Sequence, residues 1–216
     1  MRVVIAGGHG QIALRLEKLL SERGDQPVGI VRNPDHEGDL LAAGAETVVL
    51  DLEQSDVDAV AEVLRGADAA VFAAGAGPGS GAARKDTVDR GAAALFAEAA
   101  QSAGVRRFIQ IGSMGADTPD APGLEPVFRA YLHAKAAAEE DLKARDLDWT
   151  ILRPGELTND SGSGNVKIAP KTGRAAVPRE DVAAVVVALL DAPATARRTL
   201  ELISGEDSIA DAISAL

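Results

Sequence analysis

The stretch RVVIAGGHGQIALRLEKLL, residues 2–20, places three glycines between a short apolar run and an amphipathic segment. Residues 2–6 predict a β-strand, and the apolar spacing from residue 11 onward predicts a helix. Gly7, Gly10 and Ala13 have the G-x-x-G-x-x-G/A spacing of a dinucleotide-binding turn, in which small residues permit a tight turn, backbone approach to a pyrophosphate and close helix packing. The stretch therefore predicts a strand–turn–helix unit that binds a dinucleotide. The alternative is a glycine-rich turn that binds nothing.

The rest of the chain repeats this alternation of short β-branched runs and longer helical patterns. Predicted strands cover residues 2–6, 26–32, 45–51, 68–74, 106–112, 148–153 and 198–203. Predicted helices cover residues 11–23, 35–43, 56–65, 83–103, 129–145 and 179–191, with a last helix from about residue 207. Most of the strands are continuous apolar runs, as in a sheet that helices cover on both faces. The pattern predicts a Rossmann-type doubly wound α/β fold with a mainly parallel sheet.

The domain organisation follows from length and composition. The 216 residues, 46% of them hydrophobic, suit a single domain over residues 1–216. The polar, glycine-bearing stretch at residues 157–174 lies within a segment, 154–177, that predicts a loop or small insertion on the substrate side. The fold is therefore expected to end in a small C-terminal, substrate-side portion.

Composition also narrows the classes of partner. The formal net charge is −11, and an acidic surface repels nucleic-acid phosphates and anionic lipids. The chain has no cysteine, and its three histidines are scattered, which disfavours a metal site. It shows no N-terminal leader and no apolar run of the roughly 20 residues that span a bilayer. We expect a cytoplasmic protein with no nucleic-acid, membrane or metal partner.

The ends of the second and third predicted strands bear on the choice of dinucleotide. NAD-selective sites usually place a carboxylate after the second strand, but here Arg32 follows it. A guanidinium offers paired donors to a 2′-phosphate, which favours NADP(H) over NAD(H), unless Arg32 is only a surface arginine. Asp51 could accept from an adenine amino group while Leu52 covers the ring, or Asp51 could be a cap or turn residue.

A second glycine-rich loop, FAAGAGPGSG, follows the fourth predicted strand at residues 72–81. Ligands of open α/β folds bind at the carboxyl edge of the sheet, which places this loop beside the dinucleotide. The candidate cofactor-binding residues of the two loops and strand ends are Gly7, Gly8, His9, Gly10, Gln11, Ile12, Arg32, Asp51, Leu52, Ala73, Ala74 and Gly75.

A candidate catalytic group lies further along the chain. Tyr131 and Lys135 are four residues apart in YLHAKAAAEEDL, so they share one face of a helix. An ammonium beside a phenol favours the phenolate, which lets a tyrosine exchange a proton with an alcohol or carbonyl. Ser113 follows a strand end, where its hydroxyl can reach a substrate oxygen. The alternative is a packing tyrosine beside a solvated lysine, although Tyr131 is the only tyrosine of the chain.

Taken together, these motifs resemble the short-chain dehydrogenase/reductase superfamily, in particular its atypical, NAD-dependent epimerase/dehydratase-like branch. GGHGQIA, VRNP, LDLE, FAAGAG, IGSMG, YLHAK and WTILRPGEL occur in the family's order over nearly the whole chain. The resemblance implies that Ser113, Tyr131 and Lys135 are the catalytic serine, tyrosine and lysine. It also implies that Arg153, Pro154 and Gly155 form the turn that flanks the nicotinamide and the substrate. Asp89 stands where the family has a catalytic asparagine, which puts the proton relay through Lys135 in question.

The sequence thus favours an NADP(H)-dependent oxidoreductase of a small carbonyl or alcohol. In this hypothesis Tyr131 is the acid/base, Lys135 supports it and binds the nicotinamide ribose, and Ser113 orients the substrate oxygen. Two alternatives are a non-catalytic NADP(H)-binding redox sensor and an epimerase or dehydratase that uses NAD(P) transiently. The long alanine-rich helices allow either a monomer or a homodimer.

Overall fold

The computed structural model describes residues 1–77 and 79–216, so Pro78 in the second glycine-rich loop lies outside the described residues. It has the predicted alternation of strands and helices. The strands are β1 (Arg2–Ala6), β2 (Gln26–Val31), β3 (Glu46–Val49), β4 (Ala69–Phe72), β5 (Arg107–Ile111), β6 (Asp148–Pro154), β7 (Glu156–Thr158), β8 (Asn165–Ala169), β9 (Ala176–Pro178), β10 (Arg198–Ser204) and β11 (Asp207–Ser208). The α-helices are α1 (Gln11–Glu22), α2 (Glu37–Ala42), α3 (Val57–Leu64), α4 (Ala82–Arg84), α5 (Ala93–Ser102), α6 (Pro126–Lys143), α7 (Arg179–Leu190) and α8 (Ile209–Ser214).

The main sheet has nine strands in the order β11-β8-β10-β6-β5-β4-β1-β2-β3. Strands β1 to β6 and β10 run parallel, and the part β3-β2-β1-β4-β5-β6 is the strand order of a dinucleotide-binding doubly wound fold. The order reverses between β1 and β4, so the loops that follow these two strands open a crevice at the carboxyl edge. The prediction of a mainly parallel Rossmann-type sheet is confirmed.

Helices cover both faces of the sheet, each over its own apolar core. One core joins α1, α7 and α8 to one face, and its largest buried side chains include Ile5, Leu16 and Ile109. The other joins α3, α5 and α6 to the opposite face around Phe72, Phe96 and Phe108. Because central strands meet a core on both sides, their sequences are apolar without alternation, as predicted.

The polar segment at residues 157–174, which predicts a loop or small insertion, contains strand β8 of the main sheet and the end of β7. The loop alternative is therefore wrong for residues 157–158 and 165–169. Val166 and Ile168 in β8 are buried, whereas Asn165 and Lys167 are exposed. β8 pairs antiparallel with β10 and β11, and β7 pairs with β9 in a separate two-stranded sheet. With only two apolar residues in alternation, β8 gives a weak strand signal.

Two helices differ from their predicted bounds, in ways that matter for the site. The predicted helix over 83–103 is divided, because a π-helix spans Lys85–Ala92 between α4 and α5. Helix α6 begins at Pro126, three residues before the predicted start, since proline suits the first turn of a helix. In the part of the chain that the structure describes, no helix has both the length and the apolar character needed to cross a membrane.

Candidate functional site

The first glycine-rich loop connects β1 to α1 and packs tightly against its neighbours. Gly7 has φ +81°, and a Cβ there would lie 2.6 Å from Ala74 Cα. A Cβ on Gly8 would lie 2.8 Å from Gly29 Cα. The N–H groups of Gly7 and Gly8 donate to the Ile30 carbonyl at 3.1 and 3.0 Å. Glycine is therefore required here by backbone conformation and by the close approach of two neighbouring strands.

The start of α1 is arranged for an anion. Its N-cap, Gly10, has no side chain to cap the helix, and the first turn contains no acidic residue. The first N–H groups of an α-helix have no partner within the helix, and they carry the positive end of its dipole. An uncapped, carboxylate-free helix start beside a loop that allows close backbone approach fits a dinucleotide pyrophosphate.

Two cavities open along the carboxyl edge of the sheet. The first, which we call the arginine cleft, has a volume of about 280 Å³. Its lining comprises Gly7, His9, Gly10, Ile30, Val31, Arg32, His36, Leu50, Asp51, Leu52, Glu53, Ala73, Ala74, Gly75, Ala76, Arg84, Val88 and Ala92. The second, the tyrosine cavity, has a volume of about 320 Å³. Its lining comprises Ile12, Ala73, Ala74, Gly75, Ala76, Gly77, Lys85, Asp89, Ile111, Gly112, Ser113, Tyr131, Lys135, Pro154, Gly155 and Leu157.

The two cavities share Ala73, Ala74, Gly75 and Ala76, the start of the second glycine-rich loop. They therefore meet at the crevice between β1 and β4, and Gly7 and Gly10 lie on the arginine-cleft side of the meeting point. The first glycine-rich loop, the start of α1 and the shared residues 73–76 are therefore the groups that would hold a dinucleotide at this edge of the sheet. The chemistry that such a group would supply is hydride transfer.

In the arginine cleft, Glu53 joins two guanidinium groups. Arg32 Nη1 lies 3.5 Å and Arg84 Nη2 lies 3.1 Å from Glu53 Oε2, while Thr87 Oγ1 donates to Glu53 Oε1 at 2.6 Å. The hydrogen bond from Thr87, assisted by Arg84, holds the pKa of Glu53 below its ordinary value. Since Arg32 is 54% exposed, its guanidinium can exchange this weak contact for a ligand anion.

The other predicted residues of the cleft have local partners. Asp51 accepts from the Glu53 N–H at 3.0 Å, so its carboxylate shapes the turn after β3, which is the alternative considered from sequence. The imidazole rings of His9 and His36 stack with centroids 3.6 Å apart, and His9 Nε2 lies 2.7 Å from Asp39 Oδ2. No sequence motif predicted a role in this cleft for His36, Glu53 or Arg84, which also line it.

The tyrosine cavity brings together all four candidate catalytic residues, from three different elements or loops. Ser113 follows β5, Asp89 lies on the π-helix, and Tyr131 and Lys135 share one face of α6. Lys135 Nζ lies 5.7 Å from the centroid of the Tyr131 ring. Ser113 is half-buried, and its hydroxyl makes only a long hydrogen bond, 3.3 Å, to the Met114 carbonyl.

Lys135 and Asp89 form a buried ion pair at the base of this cavity. Lys135 Nζ lies 3.3 Å from Asp89 Oδ1 and donates to the Ile111 carbonyl at 3.3 Å. Asp89 Oδ2 accepts from the Ala76 N–H at 3.2 Å. Asp89 thus links α6 to the loop that both cavities share, and it does so as an acceptor only, where an asparagine would also donate.

A second buried pair lies behind Ser113. Arg153 Nη2 and Nε donate to Glu139 Oε2 and Oε1 at 2.5 and 3.0 Å, and both side chains are buried. A Cβ on Gly112 would lie 2.7 Å from Glu139 Oε1, so the pair packs directly against the turn before Ser113. The bidentate geometry fixes α6 relative to β6 and the end of β5. The family resemblance implies that Arg153 belongs to the turn that flanks the nicotinamide, whereas no sequence motif identified Glu139.

One further buried carboxyl lies beneath the first glycine-rich loop. Glu17 on α1 has no exposed surface, and neither of its oxygens has a hydrogen-bond partner among the described residues. A Cβ on Gly29 would lie 2.5 Å, and one on Gly8 2.9 Å, from Glu17 Oε1. Burial raises the pKa of Glu17 to about 8, so the group is mostly protonated at neutral pH. A glutamate in an amphipathic helix gives no sequence signal of this environment.

Most of the predicted site residues line one of the two cavities. Gly8 and Gln11 line neither: Gly8 is buried against β2, and Gln11 is exposed at the first position of α1. In residues 1–77 and 79–216, no cluster of three or more His, Asp or Glu side chains could hold a metal ion.

Comparison with known proteins agrees with this geometry. Residues 7–193 match the family model described as NAD(P)H-binding. A Bacillus subtilis protein named as an uncharacterized sugar epimerase is 36% identical over 217 residues and covers 100% of both chains. A solved structure from Bacillus halodurans, named as a candidate NAD-dependent epimerase/dehydratase, is 35% identical with a TM-score of 0.93 over 100% of both chains. An oxidoreductase from Lactococcus lactis is 24% identical with a TM-score of 0.86, covering 100% of this chain and 96% of its own, and supports the fold. These matches confirm the resemblance inferred from sequence, and the chain belongs to the NAD(P)H-binding family.

Proposed function

We propose that this protein is an NADP(H)-dependent oxidoreductase of small carbonyl compounds or alcohols. The observation that carries the proposal is that Ser113, Tyr131 and Lys135 line one cavity, and that this cavity shares a wall with the cleft beside Gly7 and Gly10. A dinucleotide that spans the shared wall has its two ends in environments of different chemistry. One offers guanidinium groups, and the other offers a hydroxyl, a phenol and an ammonium.

The chemistry of these side chains suggests a role for each of them in the proposed reaction. The residues of the first glycine-rich loop and of the wall that the two cavities share would hold the dinucleotide, which would supply a hydride to the carbonyl carbon and would itself be oxidised by two electrons. Tyr131 donates its phenolic proton to the carbonyl oxygen, which becomes the hydroxyl of the product, and regains a proton from solvent. Ser113 donates a hydrogen bond to the same oxygen. Lys135 holds its ammonium near the Tyr131 ring, where a positive charge stabilises the phenolate.

NADP(H) is the proposed dinucleotide because of the cations in the arginine cleft. Arg32 follows β2, and Arg84 reaches the same cleft from α4 on the opposite wall. Both contact Glu53, which holds them near each other, and neither β2 nor its following residue supplies the carboxylate that usually binds the ribose hydroxyls of NAD. A 2′-phosphate can displace the exposed Arg32 from Glu53 at small cost.

The deciding experiment combines cofactor oxidation with a single-atom change in Tyr131. Purified protein is incubated with NADPH and a panel of small aldehydes and ketones, and oxidation is followed by absorbance. We expect turnover, and we expect Tyr131→Phe to lower kcat by about 10²–10⁴-fold while NADPH affinity, measured by calorimetry, stays nearly unchanged. Wild-type turnover that survives in Tyr131→Phe would contradict the mechanism.

Two alternatives predict other outcomes. A redox sensor binds NADPH but reduces no carbonyl, and the buried pair of Asp89 and Lys135 favours it, because a carboxylate replaces the amide of the family's proton relay. An epimerase or dehydratase, as the name of the Bacillus subtilis relative suggests, changes its substrate without net oxidation of the dinucleotide. Net NADPH consumption that scales with product formation contradicts both.

A further inference from the structure

Lys85 is a charged residue of the tyrosine cavity for which the proposed function has no use. It begins the π-helix and is half-buried. Its Nζ lies 5.2 Å from the centroid of the Tyr131 ring and donates to the Gly77 carbonyl at 3.0 Å. The ammonium therefore lies close to the atoms that would handle the substrate oxygen.

The charges that line this cavity do not cancel. Three charged side chains line it, and two of these, Asp89 and Lys135, neutralise each other as a buried pair. Lys85 makes no ion pair with any carboxylate of residues 1–77 and 79–216. By contrast, the neighbouring arginines on the same segment are both paired, Arg84 with Glu53 and Arg90 with Asp86.

The Lys85 ammonium, unpaired among the described residues, makes the tyrosine cavity attractive to anionic ligands. The whole chain carries a net charge of −11, so most of its surface repels anions. A cavity lined largely by glycine, alanine and aliphatic side chains screens charges poorly, which strengthens the attraction between Lys85 and an anionic group inside it. The cavity thus selects for a negative charge that the rest of the surface disfavours.

An exposed apolar surface lies beside Tyr131 on α6. Phe128 is 41% exposed, and its ring stacks on the Tyr131 ring with centroids 5.8 Å apart. Val127 beside it is 51% exposed. These two are adjacent in the first turn of α6, so an aromatic or aliphatic body can rest on them while its polar end enters the cavity.

We propose that the substrate is a carbonyl compound with an apolar body and an anionic group, and that Lys85 binds the anionic group. This inference rests on the proposed function for the reaction, and it adds the class of substrate. The anionic group is chemically similar to the phosphates of the dinucleotide, so the experiment separates binding to substrate from binding to cofactor.

The experiment compares two probes of nearly equal shape, phenylglyoxylate and its methyl ester, with wild-type protein, Lys85→Gln and Arg90→Gln. Glutamine keeps a donor for the Gly77 carbonyl but removes the charge. Arg90→Gln removes one positive charge from the same π-helix at an exposed position outside the cavity, so it is the matched control. We expect kcat/KM for the acid to fall about 10- to 100-fold in Lys85→Gln, with the ester and Arg90→Gln changed less than about twofold.

Other results overturn the inference. A wild-type enzyme that reduces the ester as well as the acid has no anion selectivity. A Lys85→Gln variant that loses NADPH affinity and affects both probes equally shows that Lys85 binds the phosphates of the dinucleotide.

If wild-type protein reduces neither probe, the proposed reaction fails for such carbonyls, and calorimetric binding of phenylglyoxylate to the NADP⁺ complex decides the inference separately. Binding of the acid in preference to the ester, lost in Lys85→Gln and kept in Arg90→Gln, supports the anion site. Absence of that preference overturns it.

Discussion

The buried carboxyl groups on the two sides of the crevice differ in whether a cation is paired with them. Beneath the first glycine-rich loop, Glu17 is buried with no hydrogen-bond partner in the part of the chain that the structure describes, and burial raises its pKa to about 8. Around the tyrosine cavity, Asp89 and Glu139 are equally buried, but each has a cation, Lys135 and Arg153 respectively. The comparison shows that burial alone does not decide what a carboxyl does. A partner makes it a positioning element, and the absence of one makes it a proton-binding group.

This difference fits the ligands proposed for the two sides, which are a dinucleotide at the first glycine-rich loop and a carbonyl substrate in the tyrosine cavity. An ionised carboxylate beneath the pyrophosphate loop would repel a ligand with several negative charges, so a protonated Glu17 is compatible with a dinucleotide. Near the tyrosine cavity, the buried carboxylates of Asp89 and Glu139 hold Lys135 and Arg153 in place. The following changes test this contrast.

The largest expected effect is the pH dependence that Glu17 imposes on stability. The pKa is about 8 in the folded protein against a model value of 4.5, so the folded state retains a proton that the unfolded state loses between these pH values. The contribution of Glu17 to stability is complete below pH 4.5 and is lost as pH rises through 8, a change of roughly 5 kcal/mol. We expect Glu17→Gln to remove this decline in urea unfolding measured from pH 5 to pH 9.

Glu22 on the same helix provides the matched control, because it is exposed and pairs with the exposed Lys18. Glu22→Gln should keep the wild-type pH dependence. A wild-type protein whose unfolding free energy is flat between pH 5 and pH 8.5 would contradict the buried, protonated state of Glu17.

A somewhat smaller loss of stability is expected when the buried pair of Glu139 and Arg153 is broken. Glu139→Leu leaves the buried Arg153 guanidinium with only the longer contact, 3.5 Å, from its Nη1 to the exposed Asp117, which should lower the free energy of unfolding by about 3 kcal/mol. The double variant Glu139→Leu/Arg153→Met removes both charges and should recover most of this loss. Denaturant unfolding measures both, with Glu140→Leu as an exposed control on the same helix that should change stability by less than about 0.5 kcal/mol. A double variant no better than the single one would show that the pair does more than satisfy buried charge.

The smallest effect is expected at the exposed edge of the arginine cleft. Arg32→Ala should raise the Kd for NADPH about tenfold, since one charge-assisted contact to a 2′-phosphate is lost, and should leave NADH within about twofold. Calorimetric titration with both dinucleotides measures this. Arg65→Ala, at an exposed arginine that pairs with Glu62, should change neither Kd. Equal losses for NADPH and NADH would mean that Arg32 does not recognise the 2′-phosphate.

The strand–turn–helix stretch at residues 2–20 determined the fold class, because local spacing of glycines and apolar residues reports the backbone that must form there. The same reasoning identified Ser113, Tyr131 and Lys135, whose order along the chain is a family pattern. It failed at β8, where Val166 and Ile168 are the only two buried residues of a short exposed strand. That strand forms because β10 supplies an edge to pair with, and such an edge is not a local property.

The sequence by itself thus determined the dinucleotide-binding architecture and the residues of the two glycine-rich loops. Only the tertiary structure decided which charged side chains contact each other. Glu53 pairs with Arg32 and Arg84, and Arg153 pairs with Glu139. Glu17 has no hydrogen-bond partner among residues 1–77 and 79–216. The physical reason is that helix and turn signals arise from neighbours in sequence, whereas the partner of a buried charge is set by how helices and strands distant in the chain pack together. A glutamate in an amphipathic helix has the same local signature whether it faces water, an arginine or two glycines.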